Sequence, residues 1–585
     1  MINMQALDLK LLRDFRRLWA QGLAIALVLA AGVSVIVMSI GMSRALNDSR
    51  AAYYAQNRFA HVFAGARRAP DSLVREIAQI PGVIQVDTRV REYATLDIPD
   101  RSKPAAGLML SRAVGAEPRL NVPLLRQGRW PERTDEVVVN VPFASANGFR
   151  TGDRFSVNLN GRKREVTITG TALSPEFIYT IGPGALMPQN ETFGVIWMTE
   201  PVLDAAFGMD GAFNDVALSL LPGTAIEPVK DQLEALLTPY GGLSADDRST
   251  QQSNAFLDAE IQQLEVLAYV LPPTFLGISV FLVNMVMGRI VFLERAEIGL
   301  MKAIGYSNWE ICLHYLLLAA LIAVLGIAIG SAAGSWLARA MAQLYAQYFD
   351  FPFLVFSVPL RIYAISALLA LAATSLGALR SALKAANLAP AVAMAPPSPP
   401  NFRKSLFDTA AQVMRLSQPA RMVLRNISRW PVRAATTLVG VALAVSILVA
   451  SNFFPDAIDD IIDTAFYQSN RQDVLLLFDP DVPVDGLEQV RALPGILQVE
   501  PQQHHAAVMR HGPYEKRLAI TSIVAGANLA RIIDDKGQAV EPEPGGLMVS
   551  DRLAETLRVQ TGDILRVRFE TGLRETFDLP VTGIV

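Results

Sequence analysis

The sequence predicts an α-helical membrane protein that carries two α+β extracytoplasmic domains. Three observations predict it. The 585 residues are 51 % hydrophobic and 18 % charged, with a mean hydropathy of +0.30, more apolar than soluble proteins of this size. Long uncharged runs alternate with polar stretches too large to be loops. Segments of the first half also recur, in the same order, about 410 residues later. Lys plus Arg (52) nearly balance Asp plus Glu (55), so no global basic field points to nucleic acid and no acidic excess points to disorder. A single cysteine, Cys312, excludes an internal disulfide and a cysteine-based zinc cluster.

Residues 1–17 read as a cytoplasmic N-terminus containing Lys10, Arg13, Arg16 and Arg17. The uncharged residues 18–43 follow. As a helix they reach about 39 Å against a hydrocarbon core of about 30 Å. That length favours a spanning anchor over a signal peptide, whose apolar region is about 7 to 15 residues. Residues 44–265 form a first outer domain with a stalk, holding 22 basic and 27 acidic side chains. Spans are expected at 266–288, 311–338 and 355–379, with a cytoplasmic helix at 289–310 between the first two. The linker 380–433 has nine basic residues against the lone acid Asp408, which places it in the cytoplasm. A fifth span, 434–455, leads into an incomplete second outer domain, 456–585.

Within these segments, Pro272 and Pro273 should kink or interrupt the second span. In the third, Gly326, Gly330 and Gly334 repeat a G-x-x-x-G spacing that lets helices approach closely in lipid; the alternative is incidental small residues in an Ala-rich helix. Phe256, Ile261, Leu264 and Leu267 suit either a helical stalk or an ordinary amphipathic helix. Phe155, Val157 and Leu159 alternate into Asn160-Gly161 and return through Val166 and Ile168, the pattern of a hairpin with a type I′ turn. Leu73 to Ile80 and Leu487 to Leu493 look like short amphipathic helices stopped by Pro-Gly.

The repeat pairs Leu12-Arg13-Asp14 with Leu424-Arg425-Asn426, Trp19 with Trp430, and Tyr54 to Arg58 with Tyr467 to Arg471. It also pairs Pro81-Gly82 with Pro494-Gly495, and Thr151-Gly152-Asp153 with Thr561-Gly562-Asp563. Met394 to Asn401, rich in proline, marks the boundary between the copies. Since the second copy lacks counterparts of spans two to four, the sequence predicts a piece of a longer protein of roughly 800 residues.

Between the second and third spans, Ile298, Met301 and Ile304 recur every three residues among Glu294, Arg295, Glu297 and Lys302. This predicts a short amphipathic helix ended by Gly305, with Ser307 and Glu310 restarting the chain as a capping box. A helix bracketed by breaks can act as a lever or as a plain interfacial connector. No G-x-x-x-x-G-K-[ST], H-E-x-x-H or G-x-S-x-G occurs, so the chain should bind no ATP by a Walker A loop and is not expected to be an enzyme. His504, His505 and His511 are close in sequence, and an exposed loop is expected there rather than a metal site. His314, at the mouth of the third span, is expected to reach water.

The run E-R-x-E-I-G-x-x-K-A-I-G-Y-S, Glu294 to Ser307, followed by a span, resembles the coupling region of the FtsX-like permeases of ABC transporters. Gly128 to Pro131 (G-R-W-P), Asp135-Glu136, Ala144, Gly148, Thr151-Gly152-Asp153 and a closing Gly170 are similar to the MacB-type periplasmic core. Arg421 to Asn426 with Arg429-Trp430-Pro431 resembles the lead-in to a second permease unit. In the third span, Leu318, Ala319 and Ala320 stand where such permeases often carry a glutamate.

The resemblance implies a permease subunit with a duplicated unit in the bacterial inner membrane. A separate cytoplasmic ABC ATPase would bind ATP and Mg and press on Glu294, Arg295, Glu297, Gly299, Lys302 and Gly305. The chain itself would bind no cofactor and no metal. Export of an amphiphilic or lipid-linked substrate is expected, in contact with membrane lipid and often with a periplasmic adaptor. The alternatives are a non-transporting regulator of a cell-envelope enzyme and a membrane sensor.

Overall fold

The computed structural model describes residues 6–99, 101, 105–183, 185, 187–242, 244–394, 417–429, 431–476, 478, 482–483, 485–570 and 575–585. Residues 395–416 and Trp430 of the basic linker, with most of the proline-rich boundary segment, and residues 571–574 lie outside these. A short leader helix α1 (Ala6–Arg17) runs into α2 (Trp19–Gln56) across a single non-helical residue, Leu18, whose N–H still bonds Asp14 O at 3.0 Å. At 38 residues, α2 is about 57 Å long. It therefore overruns its uncharged segment and carries the first head on its far end.

The first head contains two sheets. One is built from β1 (Val62–Pro70), β2 (Val83–Arg89), β10 (Ala212–Leu220) and β11 (Asp246–Asp247), in the order β11-β1-β10-β2. The helices α3 (Val74–Ile77) and α6 (Ile226–Leu237) bury Ile77, Val229, Leu233 and Leu237 in the same core as its strands. The expected helix from Leu73 to Ile80 is thus only one α-helical turn, because Pro81 and the positive φ of Gly82 end it early.

The second sheet comprises β3 (Arg91–Asp97), β4 (Ala105–Arg112), β5 (Leu124–Gly128), β6 (Glu136–Asn140), β7 (Arg154–Leu159), β8 (Arg162–Leu173) and β9 (Phe193–Thr199). Its order is β5-β8-β6-β9-β4-β3-β7, with β7 also paired to β8. Asn160 (φ 47°) and Gly161 (φ 80°) make the tight β7–β8 turn. Val137, Val139, Ile196, Met198, Val157 and Ile168 share one core with Phe143 of α4 (Val141–Ala146) and Leu203 of α5 (Glu200–Phe207).

The G-R-W-P segment has a steric purpose here. Gly128 has φ 77°, and a methyl on it would lie 2.0 Å from Thr169 O, beside Gly170. Arg129 then donates two hydrogen bonds to Glu136, at 2.8 and 2.5 Å, and the N–H groups of Glu132 and Arg133 point at the same carboxylate. Together they outweigh burial and hold the Glu136 carboxyl down at about 2. A depressed carboxyl stabilises the fold above the unfolded-state value and loses that contribution as pH falls towards the folded one. The stability gap between the full chain and a Glu136→Gln variant should therefore be constant above about pH 5 and shrink steadily towards about pH 2. Thermal unfolding across that range checks it; a gap independent of pH would contradict the ion pair.

After the head, α7 (Gln252–Leu293) returns as one helix of 42 residues. Stalk and span are continuous, and Pro272 and Pro273 lie inside the helix without interrupting it. Of the expected kink or interruption, the interruption does not occur; Gly32 of α2 lets Phe275 approach closely beside buried Pro272. Next come α8 (Arg295–Ile304), α9 (Asn308–Tyr348), α10 (Leu360–Ala386) and α11 (Pro390–Met394). The fourth apolar helix starts at Leu360 rather than 355, because Pro359 occupies its N-cap and the preceding residues form an aromatic loop. That loop buries Phe349 and Phe351 among Tyr53, Tyr54 and Phe59 at the base of the head, and Asp350 N–H bonds Ile178 O at 2.8 Å.

The helices α2 and α9 run parallel along a seam of small residues. A methyl at Gly326, Gly330 or Gly334 would lie 2.9, 2.7 or 2.8 Å from the carbonyl oxygen of Ala26, Ala30 or Ser34 in turn, and Ser34 Oγ donates to Gly330 O at 3.0 Å. A similar approach joins α10 to α7, where a methyl on Gly377 would come within 2.6 Å of Val280 O. Backbone therefore packs on backbone across both seams.

Further along, α12 (Gln418–Arg429) precedes α13 (Pro431–Asp463), which touches α7 where Gly440 faces Phe281 and leaves Leu438, Val445, Phe453 and Phe454 exposed. Among the described residues five helices are long and apolar enough to cross a membrane. The second head begins with α14 (Gly486–Arg491), β12 (Gln503–His511) and β13 (Tyr514–Ser522), followed by the small ribbon β14 (Ile532–Ile533) with β15 (Ala539–Val540). Then come β16 (Leu547–Val549), α15 (Asp551–Leu557), β17 (Ile564–Phe569) and β18 (Thr576–Ile584), giving the sheet order β13-β12-β17-β18-β16.

One corner is built alike in both heads. Gly152 N–H bonds Ile168 O at 2.8 Å and Ile168 N–H bonds Asp153 O at 2.9 Å; Gly562, Val581 and Asp563 repeat these bonds at 2.8 and 2.8 Å. In each, the aspartate side chain accepts the N–H three residues earlier, at 2.7 Å.

Candidate functional site

The segment between α7 and α9 lies at the end of the bundle remote from the first head, beside α1. Its turns follow from local chemistry. Gly305, at φ 116°, ends α8 in a conformation that side chains rarely adopt, and the Ser307–Glu310 capping box starts α9. Between these stops, Ile298 is fully buried, while Leu300 is 55 % and Ile304 70 % exposed.

Lys302 and Arg295 of this helix bond to the neighbouring helices. Lys302 Nζ donates to the carbonyls of Ala386 and Leu388, at 2.5 and 2.7 Å, and so satisfies acceptors left open at the C-terminus of α10. Arg295 donates to Ala393 O at 3.2 Å and Val392 O at 2.5 Å on α11. Gly299 faces the same short helix, and a methyl there would meet Met394 and Ala393 at 2.9 and 3.0 Å. Glu294, at the joint between α7 and α8, is buried and accepts the Tyr315 hydroxyl proton at 3.0 Å.

On the opposite side stands α1. Lys10 Nζ lies 2.5 Å from Asp14 Oδ2, 3.1 Å from Glu294 Oε2 and 3.3 Å from Glu297 Oε2. Burial works against its charge, but hydrogen bonds and attraction from Asp14 and Glu294 outweigh that and raise its pKa above the ordinary lysine value. Burial likewise pushes Asp14 up, and His314 and Lys10 more than reverse it, so the carboxyl stays below its usual range. His314 does not reach water as expected. It is buried, with Nε2 3.4 Å from Asp14 Oδ2, because α1 folds over the mouth of α9 and covers it.

The small helix is therefore a junction. Through Lys302, Arg295 and Gly299 it grips α10 and α11; through Glu294 and Glu297 it grips α1. Sequence reasoning placed Glu294 to Gly305 together and missed Lys10 and Asp14. The available signal was the i, i+4 spacing of Lys10 and Asp14, which puts an ammonium and a carboxylate on one face of the leader.

In the second head the three histidines sit on β12 rather than in a loop, because the strand continues to His511. His504 Nδ1 lies 3.0 Å from Thr521 Oγ1, His505 Nε2 3.4 Å from Gln503 Oε1, and His511 Nδ1 3.1 Å from Leu557 O, so each has its own partner. Arg517 joins the two heads, with Nη2 3.1 Å from Glu234 of α6 and 2.8 Å from Glu570.

Two family models match the chain: the MacB-like periplasmic core domain over residues 23–236 and the FtsX-like permease C-terminal region over residues 269–390. No curated protein matches. Among solved structures, the extracellular domain of the noncanonic ABC-type transporter YknZ from Gram-positive bacteria is similar at 11 % identity and a TM-score of 0.22, over 32 % of this chain and 98 % of that one. The periplasmic region of MacB from Actinobacillus actinomycetemcomitans is similar at 9 % identity and a TM-score of 0.23, over 36 % and 94 %. One family model spans most of α2 and of the first head, and the other reaches from α7 to α11 across the junction, so the chain combines a MacB-like periplasmic core domain with an FtsX-like permease C-terminal region.

Proposed function

We propose that the chain is the membrane subunit of an ATP-driven complex in the bacterial inner membrane, in which a separate cytoplasmic ATPase presses on α8 and the long helices deliver that movement to two heads in the periplasm. One observation carries the reading: α8 is bonded to α1, α10 and α11, yet presents Leu300 and Ile304 bare. A helix so held transmits force, and an exposed apolar face on it suits a protein partner. The rise of α2, α7 and α9 well beyond a bilayer's thickness supports a mechanical link to the head. The close backbone seams favour transmission by the bundle over passage through it.

On this reading ATP and Mg belong to the partner, and the coupling contacts among Glu294, Arg295, Glu297, Gly299, Lys302 and Gly305 are mainly those that hold α8 in place. The substrate is amphiphilic or lipid-linked, reaches the heads from the membrane and is exported, with a periplasmic adaptor as a further partner. The matching corners at Asp153 and Asp563 support a duplicated permease unit. Sidedness is tested with cysteines at Asn160 and Ala303, both exposed, in a Cys312→Ser background. In intact spheroplasts an impermeant thiol reagent should label Asn160→Cys and leave Ala303→Cys untouched until the membrane is opened. Immediate labelling at Ala303→Cys would reverse the orientation and remove α8 from any cytoplasmic partner.

A further inference from the structure

The leader α1 precedes the first membrane helix, and nothing in the proposed function requires more of it than a basic anchor. The structure gives it a second contact. Lys10 is one ammonium facing three carboxylates, Asp14, Glu294 and Glu297, with the side chains of Lys10, Asp14 and Glu294 at 10 %, 3 % and 7 % exposure. Asp14 lies beside buried His314, and Leu11 and Phe15 pack against the core of the bundle on the same side. Charges this far from water are not a solvated surface pair: removing the ammonium leaves carboxylates buried without a cation.

The joint to α2 is short and hydrogen-bonded. Leu18 N–H bonds Asp14 O at 3.0 Å and Gly22 N–H bonds Leu18 O at 2.9 Å. Any displacement of Lys10 is thus passed to α2, which carries the first strand of the head at its far end.

We propose that Lys10 is a positioning residue for the coupling helix, and that α1 is the arm through which movement of α8 reaches the first membrane helix. The proposal rests on the reading that α8 receives a partner ATPase. It adds a route: α8 acts on α7 and α9 through the chain, on α10 and α11 through Arg295 and Lys302, and on α2 through Lys10. Loss of the ammonium leaves the bare face of α8 intact, so docking survives while the movement is no longer shared with α2.

The test uses the full chain with its ATPase in lipid nanodiscs, comparing wild type with Lys10→Met, Lys10→Arg, Glu297→Gln and the docking-face variant Leu300→Asp/Ile304→Asp. For Lys10→Met, association with the ATPase should stay within about twofold while permease-dependent kcat for ATP falls about tenfold, with KM for ATP unchanged. Hydrogen exchange in residues 6–17 should rise, and Lys10→Arg should recover kcat to within about threefold. Glu297 is half-exposed and removing its charge leaves nothing buried unpaired, so Glu297→Gln should fold and lower kcat about two- to threefold. Unchanged kcat in Lys10→Met, or in Glu297→Gln if Lys10→Met does not accumulate, overturns the proposal. If the docking-face variant meanwhile loses association, the ATPase reading stands and only the role of α1 falls; if it binds and turns over like wild type, both fall.

Discussion

Replacing Gly330 with leucine is expected to unfasten α2 from α9 and cost the bundle about 3 kcal/mol or more, a factor of roughly a hundred in the folded fraction. The first added carbon alone would sit 2.7 Å from both Ala30 O and Val33 Cβ, and three more atoms follow it. One of the neighbours is backbone, so no side-chain rotation relieves the clash; the helices must separate. Separation also breaks the Ser34 Oγ bond to Gly330 O and leaves that hydroxyl to find a new partner in an apolar layer. Gly277→Ala is the internal control, because its methyl would meet Leu443 at 3.7 Å, an ordinary contact. Denaturant unfolding of the two purified variants in micelles should separate them clearly; equal stability would mean that the seam is not packed as described.

The second large effect concerns the partner. The double variant Leu300→Asp/Ile304→Asp should keep its membrane level, since both side chains are exposed and the inward grip of Lys302, Arg295 and Gly299 is untouched. Burying a leucine and an isoleucine at an interface contributes about 1.5–3 kcal/mol each. Replacing both by carboxylates should therefore weaken ATPase association by about two to four orders of magnitude. Co-purification with the ATPase reads this directly. A helix that only lies in the lipid interface predicts unchanged association.

The local devices were legible because they depend on neighbours in sequence. Asn160-Gly161 set the hairpin turn, Gly305 and Ser307 bracketed α8, and the glycines at 326, 330 and 334 marked a seam whose partner only the fold could name. The limits of α2 and α7 were less legible, because a helix does not end where its apolar run ends: residues beyond Ser43 and before Val266 stay helical by packing on each other, as in the bond from Tyr54 to Asn254 at 2.9 Å. The junction was half legible. Spacing within Glu294 to Gly305 exposed the helix, but Lys10 and Glu294 are 284 positions apart, and no periodicity in either segment signals that they meet. For the same reason Lys302 read as a charge for a partner, whereas it closes the end of α10.

ATP-driven movement at α8 should reach the heads. With Cys312 replaced by serine, spin labels at exposed Ala113 in the first head and exposed Glu541 in the second can be measured by pulsed electron resonance in nanodiscs with the ATPase bound. One distance distribution is expected without nucleotide and a shifted one when ATP is trapped, with the shift abolished in Leu300→Asp/Ile304→Asp. A distribution that stays the same in both states while the wild-type complex turns over ATP would contradict it.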